Sequence, residues 1–154
     1  MRLSDYLSEN LIILDLQAKD KVEAFRTMVS SLAANQMIID PATFFDEVMA
    51  REAIESTSIG RGVALPHTRT RSLHRPVIVF ARTSEGIPFT TNHTDPVQLI
   101  FMMGTPKDEA NLYLQILARL CRLLRGNEFR DRLLTAATPQ EILQLFTDFD
   151  SHLN

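Results

Sequence analysis

The sequence predicts an α/β fold: a mixed central sheet of about five strands, sandwiched by helices on both faces. Three observations predict it. Apolar residues recur at helical spacing in two segments near the start of the chain and three near its end, with strand-length apolar runs between them. The order is strand, two helices, four short strands, three helices, and consecutive strands in the middle make the sheet mixed rather than purely parallel. Finally, 154 residues with 45% hydrophobic and 23% charged side chains suit one globular domain over 1–154, because glycine and proline fall at element boundaries rather than in a linker.

Residues 11–16, Leu-Ile-Ile-Leu-Asp-Leu, read as a first strand. Asp20 with Glu23 resembles a capping box, and Val22, Phe25, Val29 and Leu32 behind it give a helix over about 20–34. Asp40-Pro41 is a cap followed by proline at the first helical position. Phe44, Phe45, Val48 and Met49 supply the apolar face of that second helix, which ends near Ala53. Residues 55–62 form a polar, glycine-punctuated loop. Val63-Ala64-Leu65 is a short strand cut by Pro66.

The run 76–82, centred on Val77-Ile78-Val79-Phe80, is a buried strand, and 97–103 is another. Between them Ile87-Pro88-Phe89 reads as a short edge strand, because proline has no amide for the ladder, and 90–96 as a turn. Leu112, Ile116, Leu120 and Leu124, with Leu117 and Leu123, mark a wide apolar stripe on a helix over about 108–124. Asn127 caps a shorter helix through Leu134. Thr138-Pro139 with Glu141 opens a last helix carrying Ile142, Phe146 and Phe149.

Composition excludes several functions. A net charge of −3 leaves no electrostatic footprint for nucleic acid or an anionic membrane. The first residues carry charges and no apolar run, so they do not read as a signal peptide. No stretch approaches the ~18–20 apolar residues of a membrane span, which argues against membrane insertion. The single cysteine, Cys121, forbids an internal disulfide and reads as a buried, inert thiol on a helix stripe; a cytoplasmic protein is expected. The histidines, His67, His74, His93 and His152, lack metal-ligand spacing. There is no P-loop, no G-x-G-x-x-G and no G-x-S-x-G. Neither a metal nor a cofactor is expected.

The candidate for chemistry is Gly60-Arg61-Gly62-Val63-Ala64-Leu65-Pro66-His67-Thr68. Pro66 fixes its own φ and pushes Leu65 into extended backbone, which holds His67 just beyond a strand. An imidazole of ordinary pKa, about 6.5, is mostly neutral near pH 7 and offers a nucleophile or a metal ligand.

Arg51 lies sixteen residues before His67, followed by Ser56-Thr57-Ser58, paired glycines and the ending Val-Ala-Leu-Pro-His. This spacing, loop chemistry and ending together resemble the signature of the type-2 IIA components of the bacterial phosphoenolpyruvate-dependent phosphotransferase system, the fructose, mannitol and nitrogen-regulatory group. The later segments with Val97-Gln98-Leu99-Ile100-Phe101, Pro106, Leu114-Gln115-Ile116-Leu117-Ala118 and Ile142-Leu143-Gln144 resemble it too.

The resemblance implies a five-stranded mixed sheet between helices and transient phosphorylation of His67, at Nε2, by a phosphocarrier protein (HPr or its nitrogen-branch relative). It implies that the Arg51 fork steadies the phosphoryl oxygens. Hydroxyls of Ser56, Thr57 and Ser58 and the amides near Gly60–Gly62 would assist. Two positions depart from the pattern. Thr68 stands where the family commonly has Gly, Ala or Cys, and its hydroxyl could reach the phosphate. Tyr113 stands where many members carry a second histidine, and a phenol supplies no cation at pH 7. The leading expectation is a nitrogen-type regulatory IIA protein, monomer or homodimer. The rivals are a sugar-type IIA that passes phosphate to a IIB partner, and a docking module that regulates a transporter or kinase without phosphotransfer.

Overall fold

A computed structural model describes residues 1–90 and 96–153. Its strands are β1 (Ile12–Ile13), β2 (Ser58–Gly60), β3 (Val63–Ala64), β4 (His67–Thr70), β5 (Val77–Ile87) and β6 (Val97–Pro106). Its helices are α1 (Lys21–Ala34), α2 (Pro41–Ile54), α3 (Ala110–Leu124), α4 (Asn127–Thr135) and α5 (Pro139–Asp150). The turn expected over 90–96, with His93, falls largely outside the described residues.

Local chemistry sets the helix starts. Asp20 accepts from the Glu23 amide, Asp40 from Thr43 and Thr138 from Glu141, and Pro41 and Pro139 follow their caps. For α4 the cap is Gly126, not Asn127, which is the first helical residue.

The sheet is mixed. The long strands β5 and β6 pair antiparallel, and β1 lies parallel to β5. On the other side of β6, β3 and β4 follow each other along the same edge, both parallel to it, and β2 pairs antiparallel with β3. Six segments therefore occupy five lanes, which agrees with the expected five-stranded sheet.

Strand alternation divides the core in two. Leu99, Phe101 and Met103 of β6 face a cluster built with Ile116, Leu120, Phe129 and Phe146 of α3, α4 and α5. Ile100 and Met102 face Phe25, Met28, Phe44 and Val48 of α1 and α2. Ring centroids of Phe80–Phe101, Phe101–Phe146 and Phe129–Phe146 lie 4.9, 5.7 and 5.1 Å apart. Such pairs add about 0.5–1.5 kcal/mol each beyond their burial. Among the described residues no helix is long and apolar enough to cross a membrane.

Several expected boundaries shift. The first strand keeps two residues of its six, because Leu11 closes a 3₁₀ turn and Leu16 bonds the Arg82 carbonyl outside the regular ladder. The polar loop 55–62 contains β2, since its glycines turn the chain back on itself as a hairpin. Ile87 ends β5 instead of opening a separate edge strand. Cys121 is half-buried rather than enclosed; burial pushes its thiol pKa up, against the weaker pull of Arg125.

Candidate functional site

His67 opens β4, so it lies in a strand rather than beyond one. Pro66 interrupts the lane for a single residue, and its carbonyl accepts from the Met103 amide at 2.9 Å, so the break does not detach β4 from β6. In register with Met103, His67 faces the α3 side of the sheet.

The imidazole is largely buried, with 9% of the residue's surface exposed. Its Nδ1 lies 2.5 Å from the Leu65 carbonyl oxygen. A carbonyl only accepts, so Nδ1 carries the proton in the neutral ring and Nε2 holds the lone pair. Burial pushes the His67 pKa below 6.5. The Leu65 carbonyl opposes that shift, the Arg51 charge adds to it, and the Glu52 charge opposes it. The ring is therefore neutral at pH 7, with Nε2 as its nucleophilic atom.

Tyr113, in the first turn of α3, packs beside it, with ring centroids 5.8 Å apart. Burial raises the Tyr113 pKa above 10.0, against the charges of Arg51 and Arg69, so the phenol stays neutral. The Arg51 guanidinium thus bears electrostatically on both rings. Its Nη1 donates to the Glu55 carbonyl at 3.1 Å, a bond across the end of α2 that orients the fork. Arg69 lies two residues beyond His67, on the same strand face, with Cζ 5.8 Å from the Tyr113 centroid. The phenol and the Arg51 charge thus act on the imidazole, and Arg69 acts on the phenol.

Other expected participants are turned elsewhere. The Thr57 hydroxyl donates to Glu52 Oε1 at 2.5 Å, so its only proton is engaged in the interior. Ser56 Oγ accepts from the Ser58 amide at 3.2 Å, which closes the turn into β2. Thr68 alternates to the opposite face from His67, and its hydroxyl donates to the Arg69 carbonyl. Gly60, Arg61 and Gly62, with φ of 84°, 59° and 77°, form the β2–β3 turn. Val63 pairs with Leu99 whereas His67 pairs with Met103. Four residues of strand, about 13 Å, therefore separate that turn from the imidazole, and the Gly62 carbonyl accepts the Gln98 and Leu99 amides of β6.

Sequence reasoning missed Glu52 and Arg69. Arg69 follows from alternation once His67 is known to lie in a strand. The signal for Glu52 was its place at i+8 and i+4 from Phe44 and Val48, on the buried stripe of α2. An acid there is 3% exposed and needs partners.

Comparison with known proteins bears on this arrangement. The family model described as phosphoenolpyruvate-dependent sugar phosphotransferase system, EIIA 2, matches residues 5–149. The PTS system fructose-specific EIIABC component of Bacillus subtilis is 30% identical over 97% of this chain, which spans 24% of that larger protein. The nitrogen regulatory protein of Escherichia coli is 30% identical over 96% of this chain and 91% of its own. The crystal structure of the nitrogen regulatory protein IIA-Ntr from Neisseria meningitidis superimposes with a TM-score of 0.86 at 27% identity, covering 93% of this chain and 97% of that one.

Proposed function

The chain belongs to the EIIA 2 family of the phosphoenolpyruvate-dependent sugar phosphotransferase system, and from that membership we propose that His67 accepts a phosphoryl group from a phosphorylated HPr-like carrier protein. The observation that carries the proposal is the Leu65 carbonyl on Nδ1, which leaves the Nε2 lone pair as the nucleophile. That lone pair attacks phosphorus in line, the bond from phosphorus to the carrier's leaving atom breaks, and its electrons leave with the carrier. No proton has to move in this step. The product ring carries phosphate on Nε2 and hydrogen on Nδ1, and so gains positive character. The Leu65 carbonyl dipole stabilises that charge. Arg51 and Arg69 neutralise the phosphoryl oxygens.

The biological role that fits best is that of a nitrogen-type regulatory IIA protein, whose phosphorylation state governs a partner such as a transporter or kinase. The extent and closeness of the match to the nitrogen regulatory proteins support it. Onward transfer to a IIB partner is the competing role, supported by the equal identity to a fructose component. The test is incubation with phosphoenolpyruvate, enzyme I and HPr or its nitrogen-branch counterpart. An acid-labile mass gain of one phosphoryl group, lost in His67→Gln, is expected. No gain with either carrier overturns phosphotransfer and leaves a docking module. Rapid discharge onto a fructose IIB domain would assign the sugar role instead.

A further inference from the structure

We propose that Glu52 is a positioning residue that fixes the tautomer of His67 through Thr57 and Leu65. Its importance for transfer rests on the reading of His67 as the phosphoryl acceptor; its effect on the ring does not.

The relay is continuous. Lys21 Nζ, which also donates to the Phe89 carbonyl, lies 3.1 Å from Glu52 Oε2. The Glu52 carboxylate accepts the Thr57 amide at 3.3 and 3.1 Å and the Thr57 hydroxyl at 2.5 Å. The Thr57 carbonyl accepts from the Leu65 amide at 3.0 Å. The Leu65 carbonyl then accepts from His67 Nδ1 at 2.5 Å. Glu52, Thr57 and His67 are 3%, 5% and 9% exposed, so water cannot readily replace these links.

Each link removes a freedom the next one needs fixed. The carboxylate grips Thr57 at two atoms, so the backbone of residue 57 cannot rotate away. Its carbonyl holds the Leu65 amide. Pro66 restricts Leu65 to extended backbone, so the Leu65 carbonyl points at the ring that follows. The tautomer of a histidine is set by the hydrogen bond its other nitrogen makes. Free imidazole side chains favour hydrogen on Nε2, the form in which the attacking atom is blocked. The relay selects the opposite form. A carboxylate that merely tied the end of α2 to the following loop would need no connection onward to the imidazole.

The test is long-range ¹H–¹⁵N NMR of the His67 ring, read at pH 8 without any phosphoryl donor, beside the rate of phosphorylation by the carrier. The wild type should show the Nδ1–H form. Glu52→Gln keeps the volume but turns a donor toward Thr57 or Lys21; it should give a mixture with the Nε2–H form and slow transfer about tenfold, in line with outer hydrogen-bond partners of reacting groups. Thr57→Val removes only the hydroxyl link and should shift both readings less, in the same direction. The double variant should be no worse than Glu52→Gln alone, because the two act in series. A ring pattern unchanged in both single variants overturns the relay. If Glu52→Gln does not fold, as judged by circular dichroism, Thr57→Val decides by the same reading. A wild type that takes no phosphate, while Glu52→Gln still moves the ring pattern, refutes His67 as acceptor and supports the relay.

Discussion

The Arg69 guanidinium lies over the ring of Tyr113, its Cζ 5.8 Å from the centroid, so a permanent cation stands next to the phenol that packs beside His67. A phenol supplies no cation at pH 7; the positive charge beside it is that of Arg69. It comes from the strand rather than from the helix, two residues after His67. Arg69 is exposed, so phosphoryl oxygens arriving with a carrier can reach it.

Two rates follow from this pair. Arg69→Ala should slow phosphorylation of His67 by about tenfold, the scale of losing one charge-assisted contact. Tyr113→His should change the rate at pH 7 by less than about twofold, because a new imidazole is mostly neutral there and Arg69 already provides the charge. Quench-flow measurement of phosphorylation checks both. A large acceleration in Tyr113→His would show that the phenol, not the carrier, limits transfer.

Gly86 sits inside β5 with φ of 81°, and a Cβ built on it would come within 2.6 Å of the Pro96 Cβ. The β5–β6 register shifts between Arg82 and Ile87, so this glycine belongs to an irregularity that lets the long strand continue. Gly86→Ala should therefore destabilise the fold by about 1–3 kcal/mol through strain and overpacking. Urea unfolding measures it. Transfer to the surviving folded protein should be unchanged, because the shift lies away from the His67–Met103 pair.

One misreading of the sequence lies beside that glycine. Pro88 marks an edge, so Ile87 reads as opening a strand of its own. Only the pairing of Ile87 with Val97 shows that the ladder resumes. The helices were legible because Asp20, Asp40 and Thr138 act locally, within three residues. That the Arg51 charge acts on the His67 ring was legible through their spacing in the motif. The partners of Thr57 and Thr68 were not, because an exposed-looking hydroxyl gives no sign of which way it turns. Glu52 was hidden for the opposite reason: its burial depends on α2 packing, and its partners lie five and thirty-one residues away.

Burial is the main reason the His67 pKa lies below 6.5, and Arg51 pushes in the same direction. Transfer should therefore be flat above pH 7 and fall only below 6.5, as the nucleophile is protonated. Arg51→Ala should move the midpoint up, because a repelling charge is gone, while slowing transfer at every pH through loss of the phosphoryl contact. A slower rate with an unmoved midpoint would place Arg51 too far from the ring. The same shift sets a stability window. The unfolded chain binds the His67 proton more readily than the folded one, so stability rises with pH where their protonation differs. The contribution is fully present above 6.5 and is lost as pH falls through the lower folded value. His67→Gln removes this titrating group, so its urea midpoint should fall less than the wild type's between pH 7 and pH 5.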